Sequence, residues 1–115
     1  MDSASSIASS GMQAAARRLN VAAYNIANAT TDMPAADAPA DPTDTFQALR
    51  ADQVDMPGGG TAVTVRTALP TDAFSGVDIA SEAVQVVAAR YTFAANVAVM
   101  RSAAQLQTVL LDTFA

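Results

Sequence analysis

Apolar residues recur with a helical period at both ends of this chain and lose that period in between. Near the start, Met12, Ala15, Leu19, Ala22, Ile26 and Ala29 follow one another at spacings of 3, 4, 3, 4 and 3, the stripe of a helix that packs along one seam. A helix is predicted over 4–29, with Ser3, Ser5 and Ser6 offering N-caps. Its stop is Asn28-Ala29-Thr30-Thr31-Asp32-Met33-Pro34, β-branched residues followed by a proline that excludes helix before it. Near the end, Ile79, Ala83, Val86, Arg90, Phe93, Val97, Met100, Ala104, Gln107, Leu111 and Phe114 keep 4-3 spacing throughout. A second row adds Ala80, Val84, Val87, Tyr91 and Ala94, and a third Val99, Ala103, Leu106 and Leu110. One long helix is predicted over 79–113, with Asp78 as its N-cap and Ser81 and Glu82 in the first turn, where the helix dipole favours an acid. At 1.5 Å per residue the two helices span roughly 39 and 52 Å. The shorter covers only part of the longer, and the apolar rows exceed what one two-stranded seam needs. That surplus predicts partners.

The middle has another character. All five prolines and four of the five glycines lie there. The stretch from Met33 to Pro42 buries little and is predicted as loop or polyproline-like chain. Ala62-Val63-Thr64-Val65-Arg66-Thr67 is the clearest strand. Thr45-Phe46-Gln47-Ala48-Leu49-Arg50 reads as a short strand or a turn. If 45–54 pairs with 62–67, a small hairpin results, and a two-stranded hairpin must lean on a helix to persist. Gly58-Gly59-Gly60 is a turn free in the sign of φ. It is not a phosphate loop, since no Lys-Ser/Thr pair follows it. Asp72 to Val77 is a second loop. The chain thus divides into 1–31, a helical end; 32–78, an irregular middle with a hairpin; and 79–115, the long helix. The fold class is mainly α: two terminal helices pairing as an antiparallel coiled-coil hairpin, with a short irregular or β-hairpin middle.

Composition narrows the function. The 115 residues contain no Cys, no His and no Trp. Disulfides, thiolate chemistry and Cys-based zinc sites are therefore excluded, and the side chain that most often moves protons near neutral pH is absent. There is no Lys either; the acids are ten Asp and Glu82, the bases six Arg, for a net charge of −5. Residues 32–78 hold eight Asp against Arg50 and Arg66, a balance of −6, while the ends together carry +1. No basic patch offers itself to nucleic acid or anionic lipid. The expectation is a protein that is not an enzyme, with no cofactor, no metal and no small-molecule substrate. Asp2 stands where a signal peptide carries basic residues, and no uninterrupted apolar run follows. No stretch is expected to reach the ~20 apolar residues of a membrane span.

Some residues carry two readings. Gly11 is either a tolerated helix glycine, costing up to ~1 kcal/mol relative to Ala, or the point of a close helix crossing beside Ala14 and Ala15. Asn25, Asn28 and Asn96 are either hydrogen-bond pins that set register, as a polar residue in a coiled-coil seam does, or exposed amides near a helix end, a reading that suits Asn28 especially. Arg90 interrupts an apolar row, so it pairs, snorkels or is simply solvated. Asp37, Asp41 and Asp44 lack the spacing of a calcium loop. Asp78 and Glu82 read as N-cap and first-turn acid rather than paired catalytic carboxylates.

Two motifs, one at each end of the chain, bear a family resemblance. Ser10-Gly11-Met12-Gln13-Ala14-Ala15, Arg18-Leu19-Asn20-Val21 and Asn25-Ile26-Ala27-Asn28-Ala29-Thr30-Thr31 look like the N-terminal motif of bacterial flagellar rod and hook axial proteins. Val77 to Glu82, Ala95 to Met100 and Leu110 to Asp112 are similar to that family's C-terminal motif. Small size and a tail motif at the very end look most like the proximal rod protein C type. There are departures. The family's Ala-Gln-Arg-Ala-Tyr-x-Ala-Asn appears as Ala89-Arg90-Tyr91-Thr92-Phe93-Ala94-Ala95-Asn96, and the turn that usually follows the Gly60-to-Val65 segment is missing. The resemblance implies a subunit exported through the flagellar type III apparatus without a cleaved signal. It implies polymerisation with itself and other rod proteins into the axial tube across the periplasm, with the terminal helices lining the core. The residues expected at the assembly interface are Met12, Leu19, Asn25, Ile26, Asn28, Val86, Phe93, Asn96, Val97, Met100, Leu106, Leu110 and Leu111. The alternative from the same stripes and acidic balance is a soluble helical-hairpin adaptor or export chaperone.

Overall fold

The computed structural model describes residues 2–30, 46–68 and 77–114. Helix α1 runs Asp2–Ala27, strands β1 and β2 run Leu49–Asp55 and Thr61–Thr67, and helix α2 runs Ile79–Phe114. The strands form an antiparallel hairpin in which Leu49 faces Thr67 and Asp55 faces Thr61. Predicted and observed elements agree in kind and order. The boundaries shift by a few residues. The loops at 33–42 and 72–76, with Asp37, Asp41 and Asp44, lie outside the described residues.

The ends of the helices follow from local chemistry. Asp78 caps α2, its Oδ1 accepting from the Ala80 N–H at 3.0 Å while its carbonyl accepts from the Glu82 N–H at 2.9 Å. Helix α1 starts earlier than expected. Ser3, Ser5 and Ser6 lie inside it rather than at its cap, and the Ser6 hydroxyl donates back to the Ser3 carbonyl at 3.0 Å. At the other end the chain turns at 28–30, where the Asn28 amide donates to the Tyr24 carbonyl at 2.8 Å. Gly58, Gly59 and Gly60 all adopt φ of 93–95°, the left-handed region glycine enters without strain. This lets the hairpin reverse and lay its tip on α1. A Cβ on Gly60 would stand 2.5 Å from the Ser10 hydroxyl.

Helix α1 is the middle element. It packs against α2 on one side and against both strands on another, whereas α2 and the hairpin meet only across a polar cleft of about 170 Å³. The helices run antiparallel, with Gly11 beside Asn96 and Asn25 beside Glu82. This register puts the start of α1 opposite about residue 104, so the last turns of α2 project beyond the pair. The core is made of small side chains: Ala8, Ala14, Ala15, Val21, Ala22, Ala48, Val63, Ala89 and Ala103 are buried, and among the described residues no Leu, Ile, Met or Phe is. The largest fully buried side chain is Asn25.

Candidate assembly surface

The helix seam is rotated from the predicted stripe. On α1 the buried positions facing α2 are Ala8, Gly11, Ala15 and Ala22, running on to Asn25. Only Ala15 and Ala22 belong to the expected row. Met12 and Leu19 are half-buried on the flank, and Ile26 is exposed. On α2 the inward positions are Glu82, Val86, Ala89, Asn96, Met100 and Ala103; Val86 and Met100 were expected, and Val97 is half-buried beside them. Phe93 shares this row and remains 44% exposed. The physical reason is distance. Small residues let two helix backbones approach closely and gain dispersion contacts along their length, which pushes the larger residues of the stripe to the edges.

Gly11 marks the closest approach, and its close-crossing reading holds. A Cβ there would lie 2.6 Å from Asn96 Oδ1 and 2.7 Å from Nδ2. Asn96 does not bond across the seam. Its amide donates to the Thr92 carbonyl of its own helix at 2.8 Å, so it sets the crossing by shape rather than by a shared hydrogen bond. In an ordinary helix Gly→Ala gains about 1 kcal/mol. Here the sign should invert: Gly11→Ala is expected to cost about 1–3 kcal/mol through overpacking. Asn96→Ala in the same chain should restore the gain. Thermal melts of the double-mutant cycle measure this, and equal effects of Gly11→Ala in both backgrounds would refute it.

Asn25 is the hydrogen-bond pin, and it joins three elements. Its Oδ1 accepts from the Leu49 N–H at 2.9 Å, and its Nδ2 donates to the Leu49 carbonyl at 2.8 Å and to Glu82 Oε1 at 2.8 Å. The side-chain amide pairs with the free edge of β1 as a neighbouring strand would, and ties that edge to the first turn of α2. Glu82 therefore has a structural partner, and Asp78 is committed to its cap. Sequence reasoning did not anticipate two other ties: Arg17 Nη1 donates to the Val63 carbonyl at 3.2 Å, and the Ser10 hydroxyl accepts from the Thr61 N–H at 3.2 Å. Both fasten β2 to α1. Spacing alone names no partner for such residues. Arg18 also enters the seam, with a buried Nε that has no hydrogen-bond partner.

What these helices leave uncovered is extensive. On the flank of α1 away from the hairpin, a groove of about 670 Å³ opens between the helices, lined by Ala15, Leu19, Val87, Phe93, Ala94 and the exposed Arg90. The solvated reading of Arg90 holds. On the outer face of α2, Val84, Val87 and Tyr91 are 65%, 51% and 76% exposed. Beyond α1, Leu106, Leu110, Leu111 and Phe114 are 59%, 47%, 73% and 83% exposed. A helix apolar on all sides is covered in its working state, either by protein or by lipid. By length and composition α2 is able to cross a membrane, contrary to the expectation from sequence, though one such helix is weak evidence for a span. Any such span would place Arg90 or Arg101 in the hydrocarbon at high cost.

Among the described residues no cluster of acids suits a metal ion. The surface is built for packing. Residues 6–32 match the model of the flagella basal body rod protein family, which supports the rod-protein resemblance over the N-terminal motif and a basal-body rod component as its setting. The type C assignment receives no support from that match. No curated protein matches the chain.

Proposed function

We propose that this chain is a structural subunit of the flagellar basal-body rod, polymerising through its terminal helices into the axial tube. The observation that carries this reading is the pairing of the rod-protein match at residues 6–32 with an α2 helix that stays apolar and uncovered on most of its surface. In this reading 1–31 and 79–115 are the axial core and 32–78 the outer, solvated part. The partners are further copies and other rod proteins. The route out of the cytoplasm is the flagellar type III export apparatus, without a cleaved signal, and the destination is the periplasmic rod. The role is architectural and calls for no catalysis or cofactor. Purification of intact basal bodies followed by mass spectrometry tests it. The chain should be recovered there in stoichiometric amount; co-purification with no flagellar component would overturn the reading.

A second measurement separates a rod subunit from a self-sufficient adaptor or export chaperone. The core of alanines and valines offers little area per residue, at about 25 cal/mol per Å². Ordering each helical residue costs roughly 1–2 kcal/mol in backbone entropy. The isolated chain is therefore expected to be poorly ordered at both ends at low concentration and to gain helix on association. Circular dichroism across a concentration series checks this. A fully helical, cooperatively melting and concentration-independent monomer would favour the adaptor.

A further inference from the structure

We propose that the overhanging end of α2, residues 105–114, seats in the α1–α2 groove of a second copy of this chain, its negative helix end set against Arg90. The inference rests on the self-associating role proposed above and names the contact.

Three observations carry it. The first is fit. Between Val87 and Ala94 the groove follows α2 for roughly 10 Å, and the overhang from Gln105 to Phe114 is roughly 14 Å long at 1.5 Å per residue. Leu110, Leu111 and Phe114 are apolar side chains without intrachain cover, and the groove wall of Ala15, Leu19, Phe93 and Ala94 is an apolar recess without an occupant. The second is charge. The one charged residue of the overhang is Asp112, and no basic residue lies in the last turn of α2. The exposed carbonyls and Asp112 therefore make that end doubly negative, and a helix C-terminus favours a nearby cation. Among the described residues Arg90 is the one charged side chain lining the groove, and it makes no ion pair with another of them. The third is geometry. Overhang and groove lie on the same continuous helix, centred about 19 residues or roughly 28 Å apart, so the overhang cannot fill the groove of its own chain. The contact joins two different surfaces of the same protein. Such a head-to-tail contact propagates into a ring or an open helical filament rather than closing as a dimer. An insert of this length buries less than a stable two-body interface requires, so the contact is weak singly and relies on repetition.

The absence of native cysteine makes the test clean. Leu111→Cys and Ala94→Cys chains are purified, checked against the parent by circular dichroism, mixed at equal concentration and oxidised mildly. The mixed disulfide dimer should form at least about fivefold faster than either homodimer, and a chain carrying both substitutions should give a ladder of oligomers. Arg90→Glu should lower the mixed yield up to about fivefold, the range of an exposed ion pair, and Asp112→Arg on the partner should restore it. Leu110→Cys with Ala16→Cys, a further residue of the groove wall, serves as a second pair if either first variant misfolds. Dominant Leu111→Cys self-pairing, which would mean overhangs packing on each other, overturns the proposal. So does equal capture by a Gln53→Cys control on the hairpin, or only monomer at millimolar concentration. If the chain is recovered in basal bodies while cross-links map elsewhere, the rod reading stands and this contact falls.

Discussion

Truncation after Ala104 is expected to leave the chain expressed and exported, yet to make the cells that depend on it non-motile. The antiparallel register ends near residue 104, and every described residue from Ala104 to Phe114 is exposed. Removing them deletes no side chain from the core. Leu106, Leu110, Leu111 and Phe114 would each contribute about 1.5–3 kcal/mol if fully buried against neighbouring subunits. Losing that from every contact of a repeating assembly should block incorporation. Soft-agar spreading together with recovery of the truncated chain from basal bodies measures the effect. Normal swimming by the truncated strain would mean that the overhang has no part in assembly.

The kinds and order of elements were legible because each has a local cause. The 3-4 periodicity, the Asp78 cap, the Val63-Thr64-Val65 alternation and the three consecutive glycines all act within a few residues. The face that each helix turns to its partner was not legible. Apolar periodicity reports which positions are kept from water in the working state, summed over every partner. Met12, Leu19 and Ile26 satisfy that pattern and remain outside the intrachain seam, while Ala8, Gly11, Ala15 and Ala22 form it. A stripe of small residues looks weak on a hydropathy reading, yet close approach of two backbones depends on it. The same distinction explains α2. Its three apolar rows predicted more than one partner, and among the described elements α1 alone packs on it, leaving the rows at Val84-Val87-Tyr91 and Leu106-Leu110 uncovered. Asn25 was recognised as a pin between helices, but its larger role against β1 depends on a hairpin 24 residues away, and no spacing rule reaches that far. The assembly residues remain a proposal. What the fold adds is their division into seam, groove and overhang.

Replacing Asn25 should be the most damaging single change to the fold. The residue is 1% exposed and makes three hydrogen bonds, two to the backbone of Leu49 and one to Glu82. Asn25→Ala strands the Leu49 N–H and carbonyl at the edge of β1 and removes the tie between that edge and Glu82. A buried polar group left unpaired costs about 1–3 kcal/mol, so the total is expected near 3–5 kcal/mol, a large part of the stability of a domain this small. The hairpin should detach first, since Leu49 is where β1 is fastened to α1. Asn25→Asp tests the cause rather than the size. It keeps the shape and loses the donor, placing a buried carboxylate against both a carbonyl and Glu82. Burial and that neighbour raise the folded-state pKa of the new acid above its unfolded value. The folded state then binds more protons than the unfolded one, so stability falls as pH rises through the unfolded value toward the folded one, and returns on acidification. Relative to the parent measured at each pH, Asn25→Asp should be close to Asn25→Ala at neutral pH and should recover in mild acid, whereas Asn25→Ala should not. Melts of the three proteins from neutral pH to about pH 4, at a concentration where helix content is saturated, decide the matter. A pH-independent deficit for Asn25→Asp would show that packing, not the hydrogen-bonded junction, is what Asn25 supplies.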